Sequence, residues 1–280
     1  TYTSIINRHC KDLTQAVSFL KEMEVKGIAP DEVTYTSIIN RHCEDLFQAV
    51  EFLKEMGAKG IAPDEVTYTS IINRHCKDLT QAVSFLKEME KKKIKPNEVT
   101  YNSIINRHCN DLSQAVEFLK EMDANSIAPN EVTYTSIINR HCDDLPQAVE
   151  FLNKMEDKGI TPNEVTYTSI INRHCKDLSQ AVEFLKEMEA KGIAPNEVTY
   201  NSIINTHCND LSQAIEFLKE MEVKGIAPNE VTYTSIINRH CNDLSQAIEF
   251  LKEMEAKCIA PNEVTYTSII NRHCNDLSQA

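Results

Sequence analysis

The stretch Pro30-Asp31-Glu32-Val33-Thr34-Tyr35-Thr36-Ser37-Ile38-Ile39 returns at 63–72, at 96–105 and onward to 261–270, always 33 residues apart. Only two of its positions vary. The residue after proline is Asp or Asn, and the residue after tyrosine is Thr or Asn. A chain of 280 residues would ordinarily suggest about two domains. The fixed period predicts instead a single solenoid, 1–280, in which each unit buries its apolar face on its neighbours. Units begin at Thr1, Thr34, Thr67, Thr100, Thr133, Thr166, Thr199 and Thr232, and a partial ninth covers 265–280.

Asp31 or Asn97 suits the N-cap of a first helix, A, running to about Cys43. At about 100° per residue, Tyr2, Ile5, Ile6, His9 and Cys10 share one arc of the wheel. Thr3, Ser4, Asn7, Arg8 and Lys11 occupy the other, which is expected to face solvent. The valine before each Thr-Tyr projects into the middle of that polar arc. It recurs in all eight complete copies, so it is expected to cover something flat and apolar. Asp12 with Gln15 resembles a capping box and opens a second helix, B. That helix has Leu13, Ala16, Val17, Phe19, Leu20 and Met23 inward and acids such as Glu183, Glu187 and Glu189 outward. Gly27 fits a left-handed C-terminal cap followed by Ile28. Lys93, Ser126 and Cys258 replace that glycine in three units, where strain is expected. The expected fold is an all-α, right-handed superhelical solenoid of stacked helix-turn-helix repeats.

The net charge of −13 argues against a generic polyanion binder. Nine of the ten cysteines recur once per unit, and the tenth is Cys258. Equivalent positions in stacked helices lie about 8–10 Å apart, beyond the roughly 7 Å that a disulfide spans. A reduced, intracellular protein without disulfides is therefore expected. No signal peptide or membrane-length apolar run occurs, and no membrane association is expected. Neither end carries a polar capping repeat. Either the chain is part of a longer array, or its terminal repeats self-associate end to end.

The unit resembles the pentatricopeptide repeat family. The matching residues are Val33-Thr34-Tyr35-Thr36-Ser37-Ile38-Ile39-Asn40, Cys43, Gln48-Ala49, Phe52-Leu53-Lys54-Glu55-Met56 and Lys59-Gly60-Ile61-Ala62-Pro63-Asp64. The turn between the helices is two residues shorter than is usual in that family. The near-identity of the copies suggests recent duplication or consensus design. The resemblance implies single-stranded RNA as partner, about one base per repeat, read by two side chains per unit. Those pairs would be Thr3 with Asp31, Thr36 with Asp64, Thr69 with Asn97, Asn102 with Asn130, Thr135 with Asn163, Thr168 with Asn196, Asn201 with Asn229 and Thr234 with Asn262. It also implies that Val33, Val66, Val99, Val132, Val165, Val198, Val231 and Val264 clamp the bases. An organelle, mitochondrion or plastid, would be the expected location by the same resemblance.

Hydrogen-bond chemistry gives the pairs a direction. A carboxylate only accepts, whereas Asn both donates and accepts. Guanine and uracil carry an N–H at the centre of the pairing edge, and adenine and cytosine carry an acceptor there. Asp therefore suits G or U, and Asn suits A or C. The resemblance adds that Thr favours purines and Asn pyrimidines at the first position, and that the chain runs parallel to RNA read 5′ to 3′. The expected target is GGACAACA, with U also accepted at the C positions. Because Asp and Asn are equally good N-caps, drift would leave the same pattern.

By the same resemblance the position after the repeated Cys would contact phosphate, and its cationic members are Lys11, Lys77 and Lys176. Glu44 and Asp143 occupy it elsewhere, so modest affinity and a shallow salt dependence are expected. His9-Cys10 and its copies lack the spacing of metal ligands. They read as packed core, and no catalytic or cofactor motif stands out. A protein-binding or self-assembling scaffold, suggested by the acidic outer face and the uncapped ends, stays open as the other reading.

Overall fold

The computed structural model describes residues 1–273, and among these it contains seventeen α-helices and no strand. Residues 274–280, with Cys274 and the end of the partial ninth repeat, lie outside the described residues. The chain forms two compact units, Thr1–His141 and Cys142–Ala280. In the first, the A helices are α1 (Tyr2–His9), α3 (Glu32–Arg41), α5 (Glu65–Arg74), α7 (Glu98–Arg107) and α9 (Glu131–His141). They alternate with the B helices α2 (Leu13–Val25), α4 (Leu46–Ala58), α6 (Leu79–Lys91) and α8 (Leu112–Ala124). The second unit holds α10 (Leu145–Asp157), α11 (Glu164–His174), α12 (Leu178–Ala190), α13 (Glu197–Thr206), α14 (Leu211–Val223), α15 (Glu230–Arg239), α16 (Leu244–Ala256) and α17 (Glu263–His273). Here the odd-numbered helices are A and the even-numbered ones B. Within each unit, successive A helices pack on one another, and each A helix packs on the B helix that follows it.

Local chemistry sets the boundaries. Helix A stops at Arg41 or its His neighbour, earlier than the expected Cys43. The His42 and Cys43 N–H groups both close on the carbonyl of Ile38, at 2.9 and 3.2 Å. At the start of helix B, Asp12 Oδ1 accepts from the Gln15 N–H at 2.8 Å. Gln15 Oε1 accepts from Lys11 N–H at 3.0 Å, one residue before the cap, where a standard capping box would use the cap's own N–H. Helix B ends in a Schellman motif. Ile28 N–H donates to Met23 O and Gly27 N–H to Glu24 O, both at 2.9 Å, with Gly27 at φ 70°.

The core is the same in every interior repeat. Tyr35, Ile38, Ile39, Ala49 and Met56 are sealed from solvent, as are their counterparts. The Tyr35 ring lies 6.4 Å from Phe52 in a tilted arrangement. Its hydroxyl donates to Glu55 Oε1 at 2.9 Å, and Lys59 bonds both Glu55 and Glu24 of the preceding unit. Glu187 takes the same part with Tyr167 and Lys191, and Glu189 pairs with Lys224. These two acids are therefore inter-helix partners, not a free outer face.

The polar arc of helix A departs from its expected exposure. Ser37, Thr69 and Asn102 on that arc are nearly buried, and Thr34, at its shoulder, is fully so. An interior A helix is flanked by A helices on both sides, so burial spreads past the apolar arc onto its shoulders. The small hydroxyls of Thr and Ser fit there because they find partners, as Ser103 does with Val99 O at 2.8 Å.

Histidine stitches one repeat to the next. His42 Nε2 lies 2.7 Å from Ile6 O, and His75, His108, His141 and His240 repeat the contact with Ile39, Ile72, Ile105 and Ile204. A carbonyl only accepts, so Nε2 carries the proton. Burial lowers the pKa of His75, His108, His141 and His240 from 6.5, outweighing the carbonyl bond. Arg74 beside His75 acts in the same direction, and Asp45 opposes it.

Two outcomes follow for stability. Lys93, Ser126 and Cys258 hold φ of 60°, 56° and 58°, and a Cβ costs about 1 kcal/mol in that region. Cys258→Gly should therefore raise the unfolding free energy from urea titration by about that amount, whereas an unchanged free energy would show the turn to be unstrained. The folded histidines titrate below their unfolded value, so the unfolded chain takes up protons first as pH falls. Stability is complete above about pH 6.5 and is lost below it. The urea midpoint should drop between pH 7.5 and pH 5.5, and a flat profile would contradict the buried neutral ladder.

Candidate nucleic-acid interface

Each A helix after α1, which Thr1 caps, begins with the varying Asp or Asn. Asp64 Oδ1 accepts from the Thr67 N–H at 2.8 Å and from the Thr67 hydroxyl at 2.7 Å, and Thr67 Oγ1 receives the Asp64 N–H in return. This is a reciprocal capping box built with threonine at the third helical position. Asn97 makes the same contacts with Thr100 at 3.0 and 3.1 Å. The cap consumes one named atom, Oδ1. The other side-chain polar atom is then a carboxylate oxygen in Asp31 and Asp64, and an NH₂ group in Asn97, Asn130, Asn163, Asn196 and Asn229. The cap removes the ambiguity of Asn: its outward group is a donor.

The first-position residues lie one repeat back and are joined to these caps. Thr3 Oγ1 lies 2.9 Å from Thr34 Oγ1, which bonds Asp31 Oδ1. Thr36 reaches Asp64 through Thr67, and Thr69 reaches Asn97 through Thr100, both across 2.7 Å. Thr168 reaches Asn196 through Thr199 and Thr234 reaches Asn262 through Thr265, each across 2.8 Å. Where the first residue is Asn the link is direct. Asn102 Nδ2 donates to Asn130 Oδ1 at 3.1 Å, and Asn201 Nδ2 to Asn229 Oδ1 at 3.2 Å. Asn102 and Asn201 also accept from the Thr133 and Thr232 hydroxyls at 2.6 Å. Thr135 is partly exposed on α9, and Asn163 caps α11. Asn262 differs from the other caps because its NH₂ group donates to Glu230.

The bridging threonines are invariant, so they do not stand out among the varying positions of the sequence. Their signal was present: Thr34 and its copies stand three residues after the cap, the position from which a capping box closes.

The valines sit two residues past each cap. Val33, Val66, Val99, Val132, Val165, Val198, Val231 and Val264 are between 50% and 58% exposed, while the tyrosines two residues further on are sealed in seven of these eight units. An exposed apolar side chain thus recurs two residues past every linked polar cap. Lys11, Lys77 and Lys176 are exposed in the turn before helix B, where their backbone N–H groups bond Gln15, Gln81 and Gln180. A carboxylate, Glu32 or its copy, follows every cap.

Burial pushes the repeated thiols, Cys43 through Cys241, up to about 12, with nearby Asp residues such as Asp45 adding to the rise. At neutral pH they remain thiols and act as small core residues. Cys258 is exposed. Among the described residues, no group of three or more His, Cys, Asp or Glu could hold a metal ion, and no helix is long and apolar enough to cross a membrane.

Known proteins carry the same unit. The family model described as "Pentatricopeptide repeat domain" matches residues 51–111, 117–175 and 150–210, and that described as "PPR repeat family" matches 1–44 and 207–242. No curated protein matches the chain. Among solved structures, the pentatricopeptide repeat protein PPR10 from maize is 24% identical with a TM-score of 0.55, over 97% of this chain and 41% of that one. PPR10 in complex with an 18-nt psaJ RNA element is 21% identical with a TM-score of 0.44, over 96% and 50%. The PPR domain of the Arabidopsis thaliana protein-only RNase P 1 in complex with tRNA is 16% identical with a TM-score of 0.38, over 69% and 89%. The chain spans about half the length of the PPR10 structures or less.

The cap has a stability signature. Asp64→Asn keeps Oδ1 and should change stability by less than about 0.5 kcal/mol, while Asp64→Ala should cost about 1 kcal/mol. Equal losses in a urea titration would show that the cap is not carried by Oδ1.

Proposed function

Since the chain belongs to the pentatricopeptide repeat family, we propose that it binds single-stranded RNA at about one base per repeat and acts by occupancy. The observation that carries this reading is the linked pair of side chains in successive repeats beside an exposed valine. In this reading each base is held between valines of successive repeats. The pairing edge meets the cap's free polar atom and the first-position residue.

Asp31 and Asp64 accept from the central N–H of guanine. Asn97, Asn163, Asn196 and Asn262 donate to the central acceptor of adenine, and Asn130 and Asn229 to that of cytosine. The target is 5′-GGACAACA-3′. A donor-only Asn favours C over U at the Asn-Asn positions, which narrows the tolerance expected from the sequence. Asn262 meets competition from Glu230, so the eighth base is the least discriminated.

Affinity rests on stacking and edge recognition more than on phosphates. Lys11, Lys77 and Lys176 serve as the phosphate contacts, and the carboxylates next to each cap oppose the polyanion. The slope of log affinity against log salt should therefore be shallow.

A titration of GGACAACA, a scrambled octamer and the GGACAACA duplex tests the reading. Tight binding to the single-stranded target alone is expected, and equal weak binding to all three would overturn it. Asp64→Asn should move the preference at the second base from G to A, by about tenfold or more. Retention of G would refute the assignment of that pair.

A further inference from the structure

Thr67 lies between Thr36 and Asp64 and is fully buried. A hydroxyl has one proton and two lone pairs, and in Thr67 all three are engaged. The proton goes to Asp64 Oδ1 at 2.7 Å, because a carboxylate can only accept. One lone pair receives the Asp64 backbone N–H at 3.5 Å, and the other faces Thr36 Oγ1 at 2.7 Å. Thr36 must therefore donate its own proton inward, and its outward side is left with lone pairs. Where Asn97 is the cap, the bond from the Thr100 hydroxyl to Oδ1 lengthens to 3.1 Å, while the Thr69–Thr100 contact stays at 2.7 Å. A neutral amide oxygen holds a hydroxyl proton less firmly than a carboxylate. The Thr100 proton is free to turn toward Thr69, whose own proton can then point outward.

We infer that Thr67 is a positioning residue that couples the two recognition side chains of its pair. With Asp at the cap it makes the first-position threonine an acceptor, and with Asn it lets that threonine donate. The two positions are then one unit of recognition and not two independent ones. This inference rests on the RNA reading above and deepens it. The guanine edge carries two adjacent donors, the ring N–H and the 2-amino group. The free oxygen of Asp64 takes the first and Thr36 takes the second. Adenine lacks the 2-amino group and offers Thr36 nothing to accept.

Inosine is guanine without that amino group, so it isolates the contact. The test compares GGACAACA with the octamer carrying inosine at the second base. The unchanged protein should favour guanine by about tenfold, and Thr67→Val should reduce that ratio to about twofold. Thr67→Ser, which restores the hydroxyl, should keep the full ratio, and a merely structural role for the methyl-bearing side chain would not give that result. The discrimination at the fourth base should not move in either variant. If Thr67→Val loses its helical circular dichroism, Thr36→Val at the partly exposed partner decides, with the same loss of ratio expected. A full ratio retained in the folded valine variants would overturn the inference. If the unchanged protein prefers GGACAACA to the scrambled octamer yet does not distinguish guanine from inosine, the RNA reading stands and this inference falls. If it prefers neither octamer, the RNA reading itself fails.

Discussion

One oxygen atom per repeat constrains the rest. The Asp or Asn that starts each A helix after α1 has two side-chain polar atoms, and the helix takes Oδ1 through the amide and hydroxyl of a buried threonine. That bond starts the helix where proline ends the preceding connection. It also fixes the outward group as an acceptor in Asp and a donor in Asn. In the proposed reading stability and recognition therefore share one side chain, and the exchange of Asp for Asn is expected to be nearly silent in the first and decisive in the second.

Stacking supplies the frame that repeats this arrangement. Histidine Nε2 reaches a carbonyl one repeat back, tyrosine hydroxyls seat on helix-B glutamates, and lysines such as Lys59 and Lys224 tie those glutamates to the preceding repeat. These contacts turn the acids of helix B into structural partners. Each exposed ion pair contributes only about 0–1 kcal/mol, but each also removes a free carboxylate from a chain of net charge −13 that is proposed to bind a polyanion.

The fold was legible because the pattern was written eight times. Tyr35, Ile38, Ile39, Ala49 and Met56 repeat the apolar spacing of two amphipathic helices, and Gly27 with Ile28 spells a left-handed helix end. The positions of Thr3, Asp31, Asn102 and Asn130 stood out because only they vary within the repeated Pro-to-Ile stretch, and their pairing came from the resemblance to the pentatricopeptide repeat. Burial of Thr34 and Ser37 could not be read from a helical wheel. A wheel treats a helix as having one covered side, whereas an interior helix of a stack has three. The bridging role of Thr67 was hidden for the same reason, since it depends on a neighbour one repeat away. The partnering of Glu187 with Tyr167 likewise joins residues on two different helices.

The donor facing of Asn97 tests the account most directly. The affinity for GGACAACA is to be compared with that for the same octamer carrying 1-deazaadenine at the third base. That substitution leaves the shape of the base unchanged and removes the single ring acceptor that the Asn97 NH₂ group is proposed to meet. The account predicts binding weaker by about tenfold. Equal affinity for the two octamers would contradict it.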